Sequence, residues 1–312
     1  MFLLNAVNSV LEQTGSSRIC DITVVKNFVD DDIDGQLLKN SVKVINAGPG
    51  GAGEYLLLGI KASSGDLIAF LDDDDQFFPT KIERVVQIFK KDPNLTYYHN
   101  GVVRVFEDGR TAQNPLYTRR ERDKTNPYSF NDPKSVSCII DNNLLVNISA
   151  VVIKREALES FSDEFKNITE ATDYFVFYTA LGYGGNLMID ETYQSVYTLH
   201  HGQSKPEGGT GEFQKKMKAL ARGQILTHNF GISISNDLLV RRSIEAHIAQ
   251  WKFVETLQDC SIKDVLNSYI DFLRASKSRK TLYKAGFLLV LTVRFISLPM
   301  ALKLFRRLQN LG

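Results

Sequence analysis

The stretch GDLIAFLDDDDQF, residues 65–77, runs five consecutive apolar residues, Leu67 to Leu71, directly into four aspartates, Asp72 to Asp75. A run this apolar reads as a strand buried on both faces. Four adjacent carboxylates repel one another and gain nothing for folding by themselves. A divalent cation resolves the conflict, because hard cations take oxygen ligands and turn repulsion into coordination. The alternative is a helix N-cap with solvated acids, which accounts for one or two of the four.

Working outward from this strand, the first half of the chain alternates strand and helix signals, as expected for a parallel sheet with crossover helices. Upstream, DITVVK (21–26) and SVKVINA (41–47) are short β-branched strands, and Tyr55 to Ala62 reads as a helix. Downstream, PTKIERVVQIFKKDP (79–93) is a helix with Pro79 in its first turn and a buried stripe of Ile82, Val85, Val86 and Phe89. LTYYHNGVVRVFEDGR (95–110) reads as a hairpin turning at Asp108-Gly109. In an open α/β sheet ligands bind beyond the carboxyl ends of the strands, which is where Asp72 to Asp75 fall.

The amino terminus places Phe2, Leu3, Ala6, Val7, Val10 and Leu11 at helical spacing. It lacks the basic n-region and continuous apolar core of a signal peptide, so it reads as a core-packing helix. Residues 111–135 form a long polar loop carrying Arg119, Arg120, Arg122 and Lys124. These read as a solvated face, with a cationic lid over a bound anion as the alternative. NISAVVIKREAL (147–158) returns to strand and helix, and TEATDYFVFYTALGYGG (169–185) is a helix closed by glycines. From Glu212 onward the character is almost continuously helical, which divides the chain into residues 1–211 and 212–312.

The balance of 37 basic and 36 acidic residues, a net charge of +1, argues against a globally basic nucleic-acid binder. Cys20, Cys138 and Cys260 form no CxxC pair, so neither a disulfide framework nor a zinc site is suggested, and a reducing compartment fits. Three N-x-[ST] triplets, at Asn94, Asn147 and Asn167, are common by chance and carry no weight.

With these residues in view, GIKASSGDLIAFLDDDDQFFPTKIERVVQIF (59–89) resembles the core of the family 2 glycosyltransferases of GT-A fold. Gly59, Ile60, Ala62, Gly65, Asp66, Ile68, Phe70, Leu71, Asp72, Asp74 and Asp75 match the family pattern. FLLNAVNSVLEQT resembles its first helix, NISAVVIKREAL the segment before the acceptor site, and YTLHHGQS the segment that closes the domain. The resemblance spans about residues 2–204. It implies a Rossmann-like mixed sheet with flanking helices, here followed by a helical carboxyl-terminal extension.

It also implies an inverting transfer of sugar from a nucleotide-diphosphate donor, with Mg2+ or Mn2+ held by Asp74, Asp72, Asp75 and His200. Asp72 and Asp73 would also contact the donor. Asp173, in the family's acidic helix motif, would take the proton of the acceptor hydroxyl; its bland alternative is an acid facing a helix dipole with Thr169 or Thr172 as cap. His200 and His201 would touch metal or diphosphate, or only hydrogen-bond locally. The nucleobase segment departs from the pattern: Lys26 and Asn27 stand where an Asp is usual, and Asp30, Asp31 and Asp32 follow. Lys26 and Asp31 are the candidates for that contact, the alternative being that the acids cap the next helix.

The family's first, central strand is missing before Phe2. Either the start lies upstream or part of the donor site is lost, and we favour the former; its omission would expose sheet edges. A catalytically inactive GT-A scaffold and a nucleotidyltransferase are the alternative functions.

From Arg274 to Gly312 there are nine Lys or Arg and no Asp or Glu. The apolar run there is broken by Arg294 and Pro299, so the tail reads as an in-plane anchor on an anionic bilayer at the cytoplasmic membrane face, not as a span. The alternative is a helix packed on the protein. A lipid-linked or cell-surface glycan acceptor would suit a membrane-attached enzyme.

Overall fold

Residues 1–131 and 145–201 fold as one unit, and residues 132–144 with 202–312 as a second. The structure, a computed structural model, describes residues 2–106, 109–113, 128–200, 210–259, 261–275 and 281–294, with positions 297, 298, 300, 301 and 304. The loop cations Arg119, Arg120, Arg122 and Lys124, and also His201, lie outside the described residues.

In the first unit, helix α1 (Phe2–Leu11) buries Ala6 and Val7 against Val24, Leu37 and Val42. Strands β1 (Thr23–Lys26) and β2 (Lys43–Asn46) pair in parallel as a separate two-stranded sheet. Helix α2 (Asp31–Lys39) connects them, and α3 (Ala52–Ala62) leads to β3 (Leu67–Ala69). At Gly53 the first turn of α3 approaches another backbone closely: a Cβ there would stand 2.1 Å from the Phe165 carbonyl oxygen, so only glycine fits.

The larger sheet has seven strands among the described residues. Its order is β3, β8 (Val151–Lys154), β5 (Leu95–Phe106), β9 (Asn186–Leu199) and β4 (Gln76–Phe77), with β6 (Thr111–Gln113) on β5 and β7 (Tyr128–Phe130) on β9. The sheet is mixed. Only β5 and β9 run parallel in it, so the parallel expectation holds for that pair and for β1 with β2. Among the described residues β1 pairs only with β2 and β3 only with β8, which breaks the sheet between them.

The core beneath β5 is continuous with α4 (Lys81–Lys91), whose Val85, Ile88 and Phe89 meet Leu95, Tyr98 and Val152. Here the expected stripe needs one correction: Lys81, at the head of the helix, is fully buried, while Ile82 and Val86 are only half-buried. Asp190 on β9 is also fully buried, and its charge is met by Arg84 Nε at 2.6 Å, Tyr98 Oη at 2.8 Å and the Thr192 amide at 2.9 Å. These bonds hold its carboxyl below the usual carboxylate range despite burial.

The second unit is helical. α5 (Pro133–Asp141) is capped by Asp132, which accepts from the Ser135 amide at 3.0 Å. It bonds to a later helix through His247 to the Ile140 carbonyl at 3.0 Å and Ser137 to Ser243 at 2.7 Å. The remaining helices described there are α8 (Thr210–Ile234), α9 (Leu238–Asp259), α10 (Ile262–Ala275) and α11 (Thr281–Arg294). Trp251, Phe253, Leu257, Phe272 and Phe287 form their common core. No helix among the described residues is long and apolar enough to cross a membrane.

Candidate active site

The chain leaves β3 through buried Phe70 and turns at Asp72 to Asp75, where the Asp75 amide donates to the Asp72 carbonyl at 3.2 Å. The turn is fixed from below by Ser149, in a short 3-10 turn (Ile148–Ala150) before β8. Its hydroxyl accepts the Asp72 amide at 2.9 Å. Asp75 is fully buried; its Oδ1 accepts the Thr198 amide at 3.0 Å and its Oδ2 the Asn147 side-chain amide at 2.9 Å. Asp74 points elsewhere, to His200 Nε2 at 3.1 Å, and the imidazole stacks on Phe2 with ring centroids 4.5 Å apart.

Asp72, Asp74 and Asp75 each offer an oxygen within 4.8 Å of the others. Three hard oxygen donors gathered so closely fit a divalent cation of the Mg2+ or Mn2+ type. The electrostatics favour one as well. Asp72 is exposed, yet loss of water around its carboxyl, with the charges of Asp75, Asp74, Asp73 and Asp173, pushes it up to about 8. Burial raises Asp75 to about 6, against the opposing pull of its bonds from Ser149, Thr198 and Asn147. Asp73 is exposed and is raised by crowding and by Asp74; it is not in the three-carboxylate cluster.

Asp173 opens helix α7 (Thr172–Tyr183), which follows the short α6 (Arg155–Glu159) in the chain. The expected threonine cap is absent: the residue before the helix is Ala171, in the left-handed region at φ +55°, with no side-chain cap bond. Asp173 Oδ1 accepts the Tyr174 amide at 2.8 Å and Oδ2 the Asn147 amide at 3.2 Å. Burial raises the carboxyl to about 6, while these two amides pull it down. A carboxylate tuned to that range is poised to accept a proton near neutral pH.

Lys26 ends β1 of the smaller sheet, and Asp31 opens α2, which connects its two strands. Lys26 is buried, with Nζ 2.9 Å from Asp34 and 4.7 Å above the Phe28 ring. Asp31 is exposed in the first turn of α2, beside Asp30, whose side chain caps the helix by accepting the Ile33 amide at 3.0 Å. The acids of this segment therefore serve the helix terminus. Among the described residues no bond joins Lys26 or Asp31 to the aspartates.

Three residues escaped the sequence reading. Lys81 lies beneath the turn, donating to the Ser149 carbonyl at 2.6 Å and Ser195 Oγ at 3.1 Å, 3.8 Å above the Phe77 ring. Burial holds its ammonium below the ordinary lysine range. Ser149 and Asn147 sit in a segment whose only visible polar signal is a sequon. Asn147 adopts φ +88°, a conformation that costs a non-glycine residue about 1–3 kcal/mol.

Residues 2–151 match the model of the family described as glycosyl transferase family 2. A glycosyltransferase of Haemophilus influenzae is 40% identical over 62 residues, 20% of this chain and 21% of that protein. One from a Nostoc species is 34% identical over 109 residues, 32% of each. The chain thus spans about a third or less of the length of these curated relatives.

Among solved structures, S. aureus TarS 1–349 superposes with a TM-score of 0.56 at 14% identity, covering 99% of this chain and 86% of that one. The same protein in complex with UDP-GlcNAc gives 0.56 at 13% identity. The first unit here has the GT-A fold, with a helical region after it. The aspartate turn after β3 and Asp173 on α7 are parts of that one fold unit.

Proposed function

We propose that this chain is a metal-dependent, inverting glycosyltransferase that moves a sugar from a nucleoside diphosphate donor to an acceptor hydroxyl. The observation that carries the reading is the pairing of two carboxylate sites: the Asp72, Asp74 and Asp75 cluster, and Asp173, bridged to it by Asn147. Asp72, Asp74 and Asp75 would hold Mg2+ or Mn2+, with His200 orienting Asp74. A cation bound there supplies Lewis-acid neutralisation of the departing diphosphate.

Asp173 accepts the proton of the acceptor hydroxyl as its oxygen attacks the anomeric carbon. The carbon–oxygen bond to the diphosphate breaks, its electron pair leaves with the nucleoside diphosphate, and one displacement inverts the anomeric centre. S. aureus TarS, which shares the fold, has been crystallised with UDP-GlcNAc and with UDP, which makes a uridine donor the first to try.

Calorimetric titration of UDP-, GDP- and dTDP-sugars, with and without Mn2+, tests the reading. Binding is expected only with Mn2+ and is expected to vanish in Asp74→Ala. Donor binding indifferent to both would sink it and favour an inactive scaffold.

The acceptor we propose is a lipid-linked or cell-surface glycan, met at the cytoplasmic membrane face. Nine Lys or Arg with no acid after residue 273 support this, together with exposed Leu266 and Ile270 on α10 and Leu288 and Leu289 on α11. The protein is expected to co-sediment with phosphatidylglycerol vesicles in a salt-sensitive manner and not with phosphatidylcholine vesicles. Equal recovery in both supernatants would remove the membrane from the proposal.

A further inference from the structure

Asn147 has each of its polar groups engaged, and its partners come from both halves of the site. Its side-chain amide donates to Asp75 Oδ2 at 2.9 Å and its backbone amide to Asp173 Oδ2 at 3.2 Å. Its side-chain oxygen accepts the Ser149 amide at 2.7 Å, and its carbonyl the Ala150 amide at 3.1 Å. Ser149 in turn accepts the Asp72 amide, so the network reaches a second carboxylate of the cluster.

The backbone stands at φ +88° and ψ 107°, although the residue is buried and is not glycine. A conformation of this kind persists only where its surroundings over-determine it, and such outliers gather at functional sites. Here the unusual φ turns the main-chain N–H toward one aspartate while the side chain reaches another. Those aspartates lie far apart in sequence, one after β3 and one on α7.

We propose that Asn147 is a positioning residue that sets the spacing between the cation-binding carboxylates and the Asp173 base. The inference rests on the reading of those two sites given above. A carboxylate oriented by a fixed donor presents its other lone pairs to an ion in one direction, and loss of such outer partners typically costs 10- to 100-fold in metal affinity. Asn147 does this for Asp75 while tying its position to Asp173.

Asn147→Gly isolates the side chain, because glycine adopts φ +88° without strain and keeps the amide facing Asp173. The variant is expected to melt below the wild-type temperature, because relief of the strained φ offsets only part of the loss of two buried hydrogen bonds. Its Mn2+ dissociation constant, measured by calorimetry without nucleotide, should rise about tenfold, and kcat at saturating Mn2+ should fall by about tenfold or more. Asp74→Ala, run alongside, separates the two levels of the argument. If wild-type protein binds no Mn2+, or binds it equally well after Asp74→Ala, the cation reading fails and the role of Asn147 fails with it.

If Asp74→Ala abolishes binding but Asn147→Gly keeps wild-type affinity and kcat, the cation reading stands and the positioning role is overturned. A loss of melting temperature with Mn2+ affinity unchanged would mark Asn147 as purely structural, and would overturn it equally.

Discussion

Asp173→Asn is expected to lower kcat by about 10²- to 10⁴-fold, the range a positioned general base supplies, while Mn2+ affinity stays within about twofold of wild type. The two effects separate because Asp173 lies outside the three-carboxylate cluster, is joined to it by the Asn147 bridge, and adds the smallest of the charges that raise Asp72. Both of its oxygens accept main-chain amides, which fixes the carboxylate at the head of α7.

Burial raises its pKa to about 6, and the base works only when ionised. Activity should therefore climb with pH on an acid limb centred near 6, and the residual activity of Asp173→Asn should lack that limb. A pH–rate profile of kcat/KM for both proteins checks this. A variant with near wild-type kcat would show that another group takes the proton.

How much of this was legible in the sequence depended on whether a residue's role was local. The aspartate turn announced itself because an apolar run, Leu67 to Leu71, leads directly into four mutually repelling carboxylates, although the structure corrects the expectation of a strand buried on both faces: only Phe70 of the run is buried, and Ala69 is exposed at the sheet edge formed by β3. The almost continuous helix of the second unit was equally plain from Glu212 onward, and Phe253, Val254 and Leu257 lie in its buried core. Asp173 was found through a family pattern, since an acid at a helix start has an ordinary explanation in the dipole.

Lys81, Asn147 and Ser149 were not legible, for a common reason. Lys81 looks like a solvated cation near a helix start, and only the fold shows that its ammonium points inward to the Ser149 carbonyl. Asn147 joins Asp75 and Asp173, and nothing in its neighbours signals a bond to either. Strand direction was hidden in the same way: β5 reads as half of a hairpin, and it is one with β6, but its longer partner is the parallel β9, far along the chain. Lys26 and Asp31 show the converse case. Their sequence position suggested a base contact, while Asp34 and the α2 terminus engage that segment locally.

Cation binding at pH 7 is expected to release about one proton per site. Loss of water and the neighbouring carboxylates push the Asp72 carboxyl up to about 8, which favours its protonated form at pH 7, and a metal ligand must be deprotonated. Apparent Mn2+ affinity should accordingly rise steeply, up to about tenfold per pH unit, between about 6 and 8, then level off. Calorimetry in two buffers of different ionisation enthalpy measures the proton directly. Asp72→Asn should bind more weakly and release far less.

Stability carries the same signature with a definite sign. Asp72 and Asp75 have folded pKa values raised above the unfolded value of 3.8, so the folded state holds more protons than the unfolded one. Their favourable contribution is complete below that value and is lost as pH rises toward 8. Mn2+ restores what ionisation removes, so its thermal stabilisation should be larger at pH 8 than at pH 5 and absent in Asp74→Ala. A Mn2+ shift that is the same at both pH values, or that survives Asp74→Ala, would place the ion somewhere other than this turn. The four aspartates that open the argument would then need another reason to stand together after so apolar a strand.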